Sequence, residues 1–153
     1  MTRIRNSALP LVALVLIAAA PVAQASEPDG LRPVLQTRFG AVIGRNEGKS
    51  GQVRVYRGIR YAASTQGRRF ERAIDPQPWS TPVDAGNFGF DCPQPTSGEV
   101  PVFASWANPR GMSEDCLFLN VWTRGKPGDG KKRPIMVWLH GGGYVTGSGS
   151  SHG

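Results

Sequence analysis

Short runs of apolar residues separated by turn residues recur along the chain and predict β-strands. Val34–Thr37 and Ala41–Gly44 flank Phe39-Gly40, a pattern that predicts a small hairpin. Gln52–Tyr56 alternates polar and apolar positions and therefore predicts a strand with one solvated face. The stretch Gly58–Pro101 is rich in proline and glycine, which favours an irregular path.

Two further apolar runs follow this irregular stretch. The mostly apolar run Leu117–Trp122 predicts a strand, and the charged and glycine-containing stretch Arg124–Arg133 predicts a turn. Ile135–Leu139 is short, consists of large apolar residues and ends at a polar cluster, so we predict a buried strand there. No stretch has a helical period. We expect the fold to continue past Gly153, because a strand that opens into a glycine loop needs further elements around it.

Residues 1–25 have the pattern of a secretory signal peptide. Arg3 and Arg5 form a positive start, Leu9–Ala20 is apolar apart from one proline, and Ala23-Gln24-Ala25 is a small-residue cleavage site. The apolar stretch is too short to span a bilayer comfortably. We therefore expect export to the periplasm or the extracellular space and no stable membrane anchor after cleavage. Residues 26–153 would then form one incomplete domain.

The chain is basic, with a formal net charge of +7 that falls to +5 when Arg3 and Arg5 leave with the leader. Basic residues cluster within Arg54–Arg72 and Lys126–Arg133. Such clusters can mark a nucleic-acid surface. No nucleic-acid-binding motif accompanies them in a chain predicted to be exported, so we interpret them as solvated loops.

The cysteine and histidine content bounds the possible chemistry. Cys92 and Cys116 are the two cysteines, and an even count in an exported chain favours a disulfide. Closing a loop of this size stabilises a fold by roughly 3 kcal/mol in chain-entropy terms. His140 and His152 are the only histidines. The sequence therefore predicts no metal site, and it implies no cofactor.

The most distinctive chemistry lies at His140-Gly141-Gly142-Gly143, directly after the predicted buried strand. Glycines at a strand end have no side chains to pack, and they permit a sharp turn with exposed backbone N–H groups. Consecutive N–H groups directed at one point stabilise a developing negative charge, as in the oxyanion hole of acyl transfer. A flexible turn without a chemical role is the alternative, and the strand and histidine before the glycines favour the oxyanion hole.

The chain resembles the amino-terminal part of the type-B carboxylesterases, the family that contains the cholinesterases and many bacterial esterases. The resemblance covers about residues 34–151 and is carried, in order, by Gly58-Ile59-Arg60-Tyr61-Ala62, Arg69-Phe70, Pro78-Trp79, Asp84-Ala85, Cys92-Pro93-Gln94, Ser113–Trp122 and Pro134–Gly143. This sequence departs from the family pattern where Arg60 replaces a proline, Ser64-Thr65 replace a Pro-Pro pair and Phe118 replaces the usual tyrosine.

The resemblance implies an α/β fold, namely the amino-terminal portion of an α/β-hydrolase with its first strands, a disulfide-closed loop and its first central strands. It implies hydrolysis of a small-molecule carboxylic ester by a Ser-His-Glu/Asp triad. Gly142 and Gly143 would supply two N–H groups of the oxyanion hole, and His140 would position the loop. Ser151 matches the spelling G-x-S-x-G, but it lacks the preceding strand and following helix of a nucleophile elbow, so we reject it. His152 is then a loop residue.

Other site residues are implied by the same resemblance. Cys92 and Cys116 match the family's first disulfide, and Arg69 and Glu114 stand where the family has a structural ion pair, expected to be buried. Trp106 has the spacing of the tryptophan that holds choline in cholinesterases through a cation–π contact, although an ordinary packed or half-exposed tryptophan is the favoured alternative. Tyr144, directly after the glycines, would line the active-site gorge.

The expected function is therefore carboxylic-ester hydrolysis by a longer parent protein. The triad would lie outside these 153 residues, so this segment would be inactive alone. The alternative is a non-catalytic, cholinesterase-like adhesion module that keeps the fold and has lost the serine. The residue at the elbow discriminates the two. The sequence leaves the identity of the ester and the oligomeric state open.

Overall fold

The computed structural model describes residues 32–95 and 111–150. Within these ranges the regular elements are six strands: β1 (Val34–Gln36), β2 (Ala41–Ile43), β3 (Arg45–Glu47), β4 (Val53–Arg60), β5 (Val83–Asp84) and β6 (Phe118–Thr123). They form two three-stranded sheets, ordered β1-β2-β5 and β3-β4-β6. In the same ranges no helix has the length and apolar character needed to cross a membrane.

The first sheet begins with the predicted hairpin, which is confirmed. β1 and β2 pair antiparallel with Leu35 opposite Val42, and the N–H of Thr37 donates to the carbonyl of Gly40 at 3.0 Å. Gly40 is required because a Cβ there would lie 2.4 Å from the ring of Trp79. That ring lies across the hairpin, where its Nε1 donates to the carbonyl of Ala41 at 2.8 Å.

The long strand β4 is the centre of the second sheet, where it pairs antiparallel with β3 and β6. The prediction of a strand at Gln52–Tyr56 is confirmed, but β4 continues to Arg60, inside the stretch predicted to be irregular. The prediction of one solvated face is also wrong, since Val55 and its neighbour Tyr56 are both buried. The strand continues because Gly58, at φ +67°, accommodates a register shift between Tyr56 and Ile59.

The two sheets are joined through the residues after β5. The N–H of Ala85 donates to the carbonyl of Ile43 at 2.8 Å, and the N–H of Arg57 donates to the carbonyl of Ala85 at 2.7 Å. The buried core lies at this junction and comprises Val42, Tyr56, Ile59 and Ala85, with Leu35, Trp79 and Val121 packed against it. β6 confirms the strand predicted at Leu117–Trp122.

The prediction of a buried strand at Ile135–Leu139 is wrong. The structure gives these residues no regular secondary structure, and their exposures run from 76% at Val137 to 94% at Met136. An apolar run becomes a strand only when a neighbouring strand accepts and donates its backbone hydrogen bonds. Among residues 32–95 and 111–150, no strand pairs with this run. We name Ile135–Leu139 the apolar segment.

A partly buried ion pair joins β3 to β4 and gives the fold an acid dependence. The guanidinium of Arg57 donates to the two carboxylate oxygens of Glu47 at 2.6 and 3.0 Å. The same guanidinium lies 5.0 Å from the ring centre of Phe88 and 5.8 Å from that of Trp122. The hydrogen bond from Arg57 holds the pKa of Glu47 below its ordinary value of 4.5. The folded state therefore favours the ionised carboxylate.

Glu47→Gln is expected to lower the free energy of unfolding near neutral pH and to make its decline in acid shallower. Because the pKa of Glu47 is lower in the folded chain, the stabilisation is present above the ordinary value of 4.5 and is lost as the pH falls through the folded pKa. Urea denaturation at several pH values measures the free energy of unfolding and its pH dependence. Asp75→Asn, which breaks an exposed pair with Arg38, is the control. Equal acid dependence in wild type and Glu47→Gln would contradict the assignment.

Candidate active site

The glycines that follow the apolar segment form a tight turn. Gly142 and Gly143 have φ values of +120° and +61°, a region that glycine occupies without steric cost. The N–H groups of Val145 and Thr146 both donate to the carbonyl of Gly142, at 3.0 and 3.1 Å. The chain therefore reverses direction immediately after the glycines. We name residues 141–150 the glycine loop.

The two glycines are required for different reasons. A Cβ on Gly142 would lie 1.9 Å from the carbonyl oxygen of Thr146, a contact that no side chain could make. A Cβ on Gly143 would meet no atom within 4 Å, so only its backbone conformation favours glycine. Gly142 is therefore the position at which the shape of the turn depends most directly on the absence of a side chain.

The backbone amides of Gly142 and Gly143 have no hydrogen-bond acceptor among the described residues. Within residues 32–95 and 111–150, neither the N–H of Gly142 nor that of Gly143 donates a hydrogen bond. Consecutive amide donors in a turn form a concave site for an anionic oxygen. Both amides therefore keep a donor that no hydrogen bond among the described residues uses.

For the other predicted site residues near the glycines, the structure shows exposure and local contacts but no role in a reaction. Tyr144 has φ +61° and a fully exposed side chain, so its role in substrate binding stays a prediction. The exposed His140 places its Nδ1 2.8 Å from the carbonyl oxygen of Gly141, at the start of the glycine loop. Trp106, Ser151 and His152 lie outside the described residues.

One side chain that the sequence analysis did not single out binds the middle of the glycine loop. The amide of Gln94 accepts a hydrogen bond from the N–H of Gly147 at 2.6 Å and donates to the carbonyl of Gly147 at 3.3 Å. This two-point contact resembles the pairing of two strands. In the sequence, Gln94 contributes only to the motif Cys92-Pro93-Gln94, so its partner could not be predicted.

Two more side chains hold the end of the glycine loop. The hydroxyl of Ser150 donates to Oδ1 of Asp91 at 2.9 Å in a buried contact. Asn120, on β6, donates to the carbonyl of Gly149 at 3.0 Å and accepts from the N–H of Gly58 at 2.9 Å. The signals available in the sequence were an aspartate next to Cys92 and a polar residue, Asn120, within an otherwise apolar run.

The disulfide predicted between Cys92 and Cys116 is confirmed. Their Cα atoms are 4.9 Å apart, and the bridge links positions separated by 24 residues. Alongside it, the N–H of Asp91 donates to the carbonyl of Gly111 at 3.0 Å, and the N–H of Ser113 donates to the carbonyl of Asp91 at 2.9 Å. The residue before Cys92 is thus fixed by backbone hydrogen bonds as well as by its covalent neighbour.

Arg69 and Glu114 form an ion pair, in which Nε of Arg69 donates to Oε1 of Glu114 at 2.7 Å. The expectation that this pair is buried is wrong, because 61% of the Arg69 side chain is exposed. The pKa of Glu114 is nevertheless lowered, first by a hydrogen bond from the hydroxyl of Thr65 and then by Arg69. Because water screens the exposed guanidinium of Arg69, removing one partner of this pair should lower the free energy of unfolding less than breaking a buried ion pair would.

Two departures from the family pattern contact each other. Arg60 on β4 lies opposite Phe118 on β6, and its guanidinium is 4.8 Å from the centre of the Phe118 ring. The same guanidinium forms a two-point ion pair with the carboxylate of Asp115, including a contact of 2.6 Å from Nη2 to Oδ2. The arginine in place of proline thus links β4 to the residue before Cys116.

The described residues contain no group of three or more His, Cys, Asp or Glu side chains that could hold a metal ion.

The sequence model of the carboxylesterase family matches residues 31–153. The chain belongs to the carboxylesterase family. It is 39% identical over 121 residues to phenmedipham hydrolase of Pseudarthrobacter oxydans, covering 78% of this chain and 23% of that protein. It is 38% identical over 148 residues to acetylcholinesterase of Danio rerio, covering 93% of this chain and 23% of that protein.

Solved structures agree with the family assignment. The structure of PNB esterase matches with a TM-score of 0.65 at 34% identity, over 78% of this chain and 23% of that chain. The two sheets and the glycine loop of this carboxylesterase-family chain are thus part of an α/β-hydrolase fold. The chain spans about a quarter of the length of the relatives it matches.

Proposed function

We propose that residues 26–153 are the amino-terminal part of a longer, exported serine esterase that hydrolyses small-molecule carboxylic esters. The observation that carries this proposal is the pair of positive-φ glycines, Gly142 and Gly143, whose amides have no acceptor among the described residues. Membership of the carboxylesterase family supports it. So do relatives named for hydrolysis, such as para-nitrobenzyl esterase of Bacillus subtilis.

In the proposed reaction, a serine outside these residues attacks the ester carbonyl carbon while a histidine takes its proton. The carbonyl oxygen gains negative charge as the tetrahedral intermediate forms. The N–H groups of Gly142 and Gly143 donate hydrogen bonds to that oxygen, and the residue after the serine supplies the third donor. One such donor contributes about 3–4 kcal/mol to transition-state stabilisation, because it is already oriented before charge develops.

Tyr144 follows the second donor directly, and its exposed ring is available to contact the ester. We propose a substrate-binding role for it and no catalytic one. Ser151 is not the proposed nucleophile, because Gly147 and Gly149 interrupt the chain where an elbow requires a strand.

The coding sequence beyond the codon for Gly153 is the first test. We expect an in-frame continuation that contains Gly-x-Ser-x-Gly, and the encoded longer protein is called the longer esterase below. It should hydrolyse a p-nitrophenyl ester, and alanine at the elbow serine should abolish the activity. The chain ending at Gly153 should be inactive. A continuation without the serine would instead support the non-catalytic adhesion module.

Expressed with its own leader, the longer esterase should be found in the exported fraction with Ser26 as its first residue. A mature protein that retains Met1 would refute the proposed export. Steady hydrolysis by the 153-residue chain, abolished by Ser151→Ala, would refute the proposed location of the nucleophile.

A further inference from the structure

We propose that Asp91 and Gln94, on either side of the disulfide cysteine Cys92, are positioning residues that hold the glycine loop in the orientation needed for catalysis. The inference rests on the proposed function and adds to it two residues that contact neither the ester nor the oxyanion. We name Asp91–Gln94 the anchoring segment. Gln94 holds the middle of the glycine loop, and Asp91 holds its end.

Gln94 holds the middle of the glycine loop through Gly147. Its amide binds both the N–H and the carbonyl of Gly147, at 2.6 and 3.3 Å. Gly147 in turn lies close to the residues before the oxyanion donors, since a Cβ on it would be 2.6 Å from the carbonyl oxygen of Gly141 and 2.7 Å from Nδ1 of His140. Because these atoms are in close contact, fixing Gly147 fixes the point from which the glycines turn.

Asp91 controls the end of the glycine loop. Only 6% of Asp91 is exposed, and its Oδ1 accepts the hydroxyl hydrogen of Ser150 at 2.9 Å. The hydroxyl of Ser150 also lies 2.7 Å from that of Ser148. A hydrogen bond to a buried acceptor is difficult to replace with water, so Ser148 and Ser150 are held against the anchoring segment.

The anchoring segment is itself held by a covalent bond and by backbone hydrogen bonds. Cys92 is bonded to Cys116, and the backbone of Asp91 makes hydrogen bonds at 3.0 and 2.9 Å with Gly111 and Ser113. Cys116 directly precedes the residues that lead into β6, which pairs with the central strand β4. The glycine loop is therefore attached, through side chains, to a segment that is covalently tied to the sheet.

This arrangement predicts a kinetic effect rather than a binding effect. Donors to an oxyanion act only when they lie at hydrogen-bond distance from the oxygen as charge develops. A displacement of about 1 Å costs on the order of a hundredfold in rate, even when the mutated residue is distant from the chemistry. Loss of an anchor should therefore lower kcat, while the ground-state contacts that set KM remain.

The test compares Gln94→Ala, Asp91→Ala and Asp91→Asn in the longer esterase with a p-nitrophenyl ester as substrate. Both alanine variants should lower kcat at least about tenfold with KM within about twofold. Asp91→Asn keeps the Oδ1 acceptor for Ser150 and should retain most of kcat. Gln66→Ala, at an exposed site outside the loop, is the matched control. Titration of the reactive serine normalises each rate to folded, active enzyme.

Amide hydrogen exchange across residues 141–150 provides a readout that does not depend on activity. The alanine variants should exchange faster there, and Asp91→Asn should not. Wild-type kcat in both alanine variants would overturn the positioning role while leaving the esterase assignment intact. A wild-type protein without esterase activity, but with faster exchange in the alanine variants, would refute the proposed function and keep the anchoring. Unchanged exchange would overturn the anchoring itself.

Discussion

Replacing Gly142 with alanine is expected to lower kcat of the longer esterase by about a hundredfold to a thousandfold, the loss associated with removing one oxyanion donor. The physical reason is local. A Cβ at Gly142 would lie 1.9 Å from the carbonyl oxygen of Thr146, so the turn must open to admit it. Opening the turn also moves the carbonyl that accepts the N–H groups of Val145 and Thr146. The amides of Gly142 and Gly143 would then point away from the carbonyl oxygen of the ester.

The measurement is kcat and KM for a p-nitrophenyl ester, normalised by titration of the reactive serine. Gly141→Ala is the matched control, because a Cβ there meets no atom within 4 Å and its φ is not positive. It should retain most of the activity. Equal rates in Gly142→Ala and wild type would show that the glycine loop does not form the oxyanion hole.

Removal of the disulfide is expected to lower the free energy of unfolding by roughly 3 kcal/mol, the chain-entropy value for a loop of about 25 residues. The double variant Cys92→Ser with Cys116→Ser tests this by urea denaturation of the longer esterase. Because the bridge also ties the anchoring segment to the sheet, kcat should fall along with stability. Measuring kcat at low temperature, where all of the protein is folded, separates the effect on catalysis from the effect on stability.

A reducing agent provides a control, since it should destabilise the wild-type protein more than the double variant, which lacks this bridge. A double variant as stable as the oxidised wild type would contradict a structural role for the bridge. A stable, fully active double variant would also weaken the inference that the anchoring segment positions the glycine loop.

Residues close together in the sequence account for the parts of the fold that were predicted correctly. The hairpin of β1 and β2 follows from two short apolar runs around Phe39-Gly40, and β6 follows from a mostly apolar run that contains one polar residue, Asn120. The disulfide follows from an even cysteine count in a chain predicted to be exported. Residue type also indicates that the chain can turn at Gly142 and Gly143, because glycine occupies positive φ values freely.

Errors arose where a single pattern was compatible with two environments. Periodicity placed the end of β4 too early, since a glycine within a strand can mark either a break or a bulge, and Gly58 forms the bulge. The burial of Val55 and Tyr56 on adjacent positions depends on both sheets covering the strand. For the apolar segment, Ile135–Leu139, composition indicated a strand. The segment is exposed because no strand among the described residues pairs with it.

By itself, the sequence of this protein determined its family, its disulfide, most of its strands and the glycine turn on which the proposed chemistry depends. Only the tertiary structure decided what holds that turn. Gln94 meets Gly147 across 53 positions, and Asp91 meets Ser150 across 59. The physical reason is that local patterns encode backbone conformation, whereas a side-chain contact between distant positions exists only after the sheets and the disulfide have brought them together.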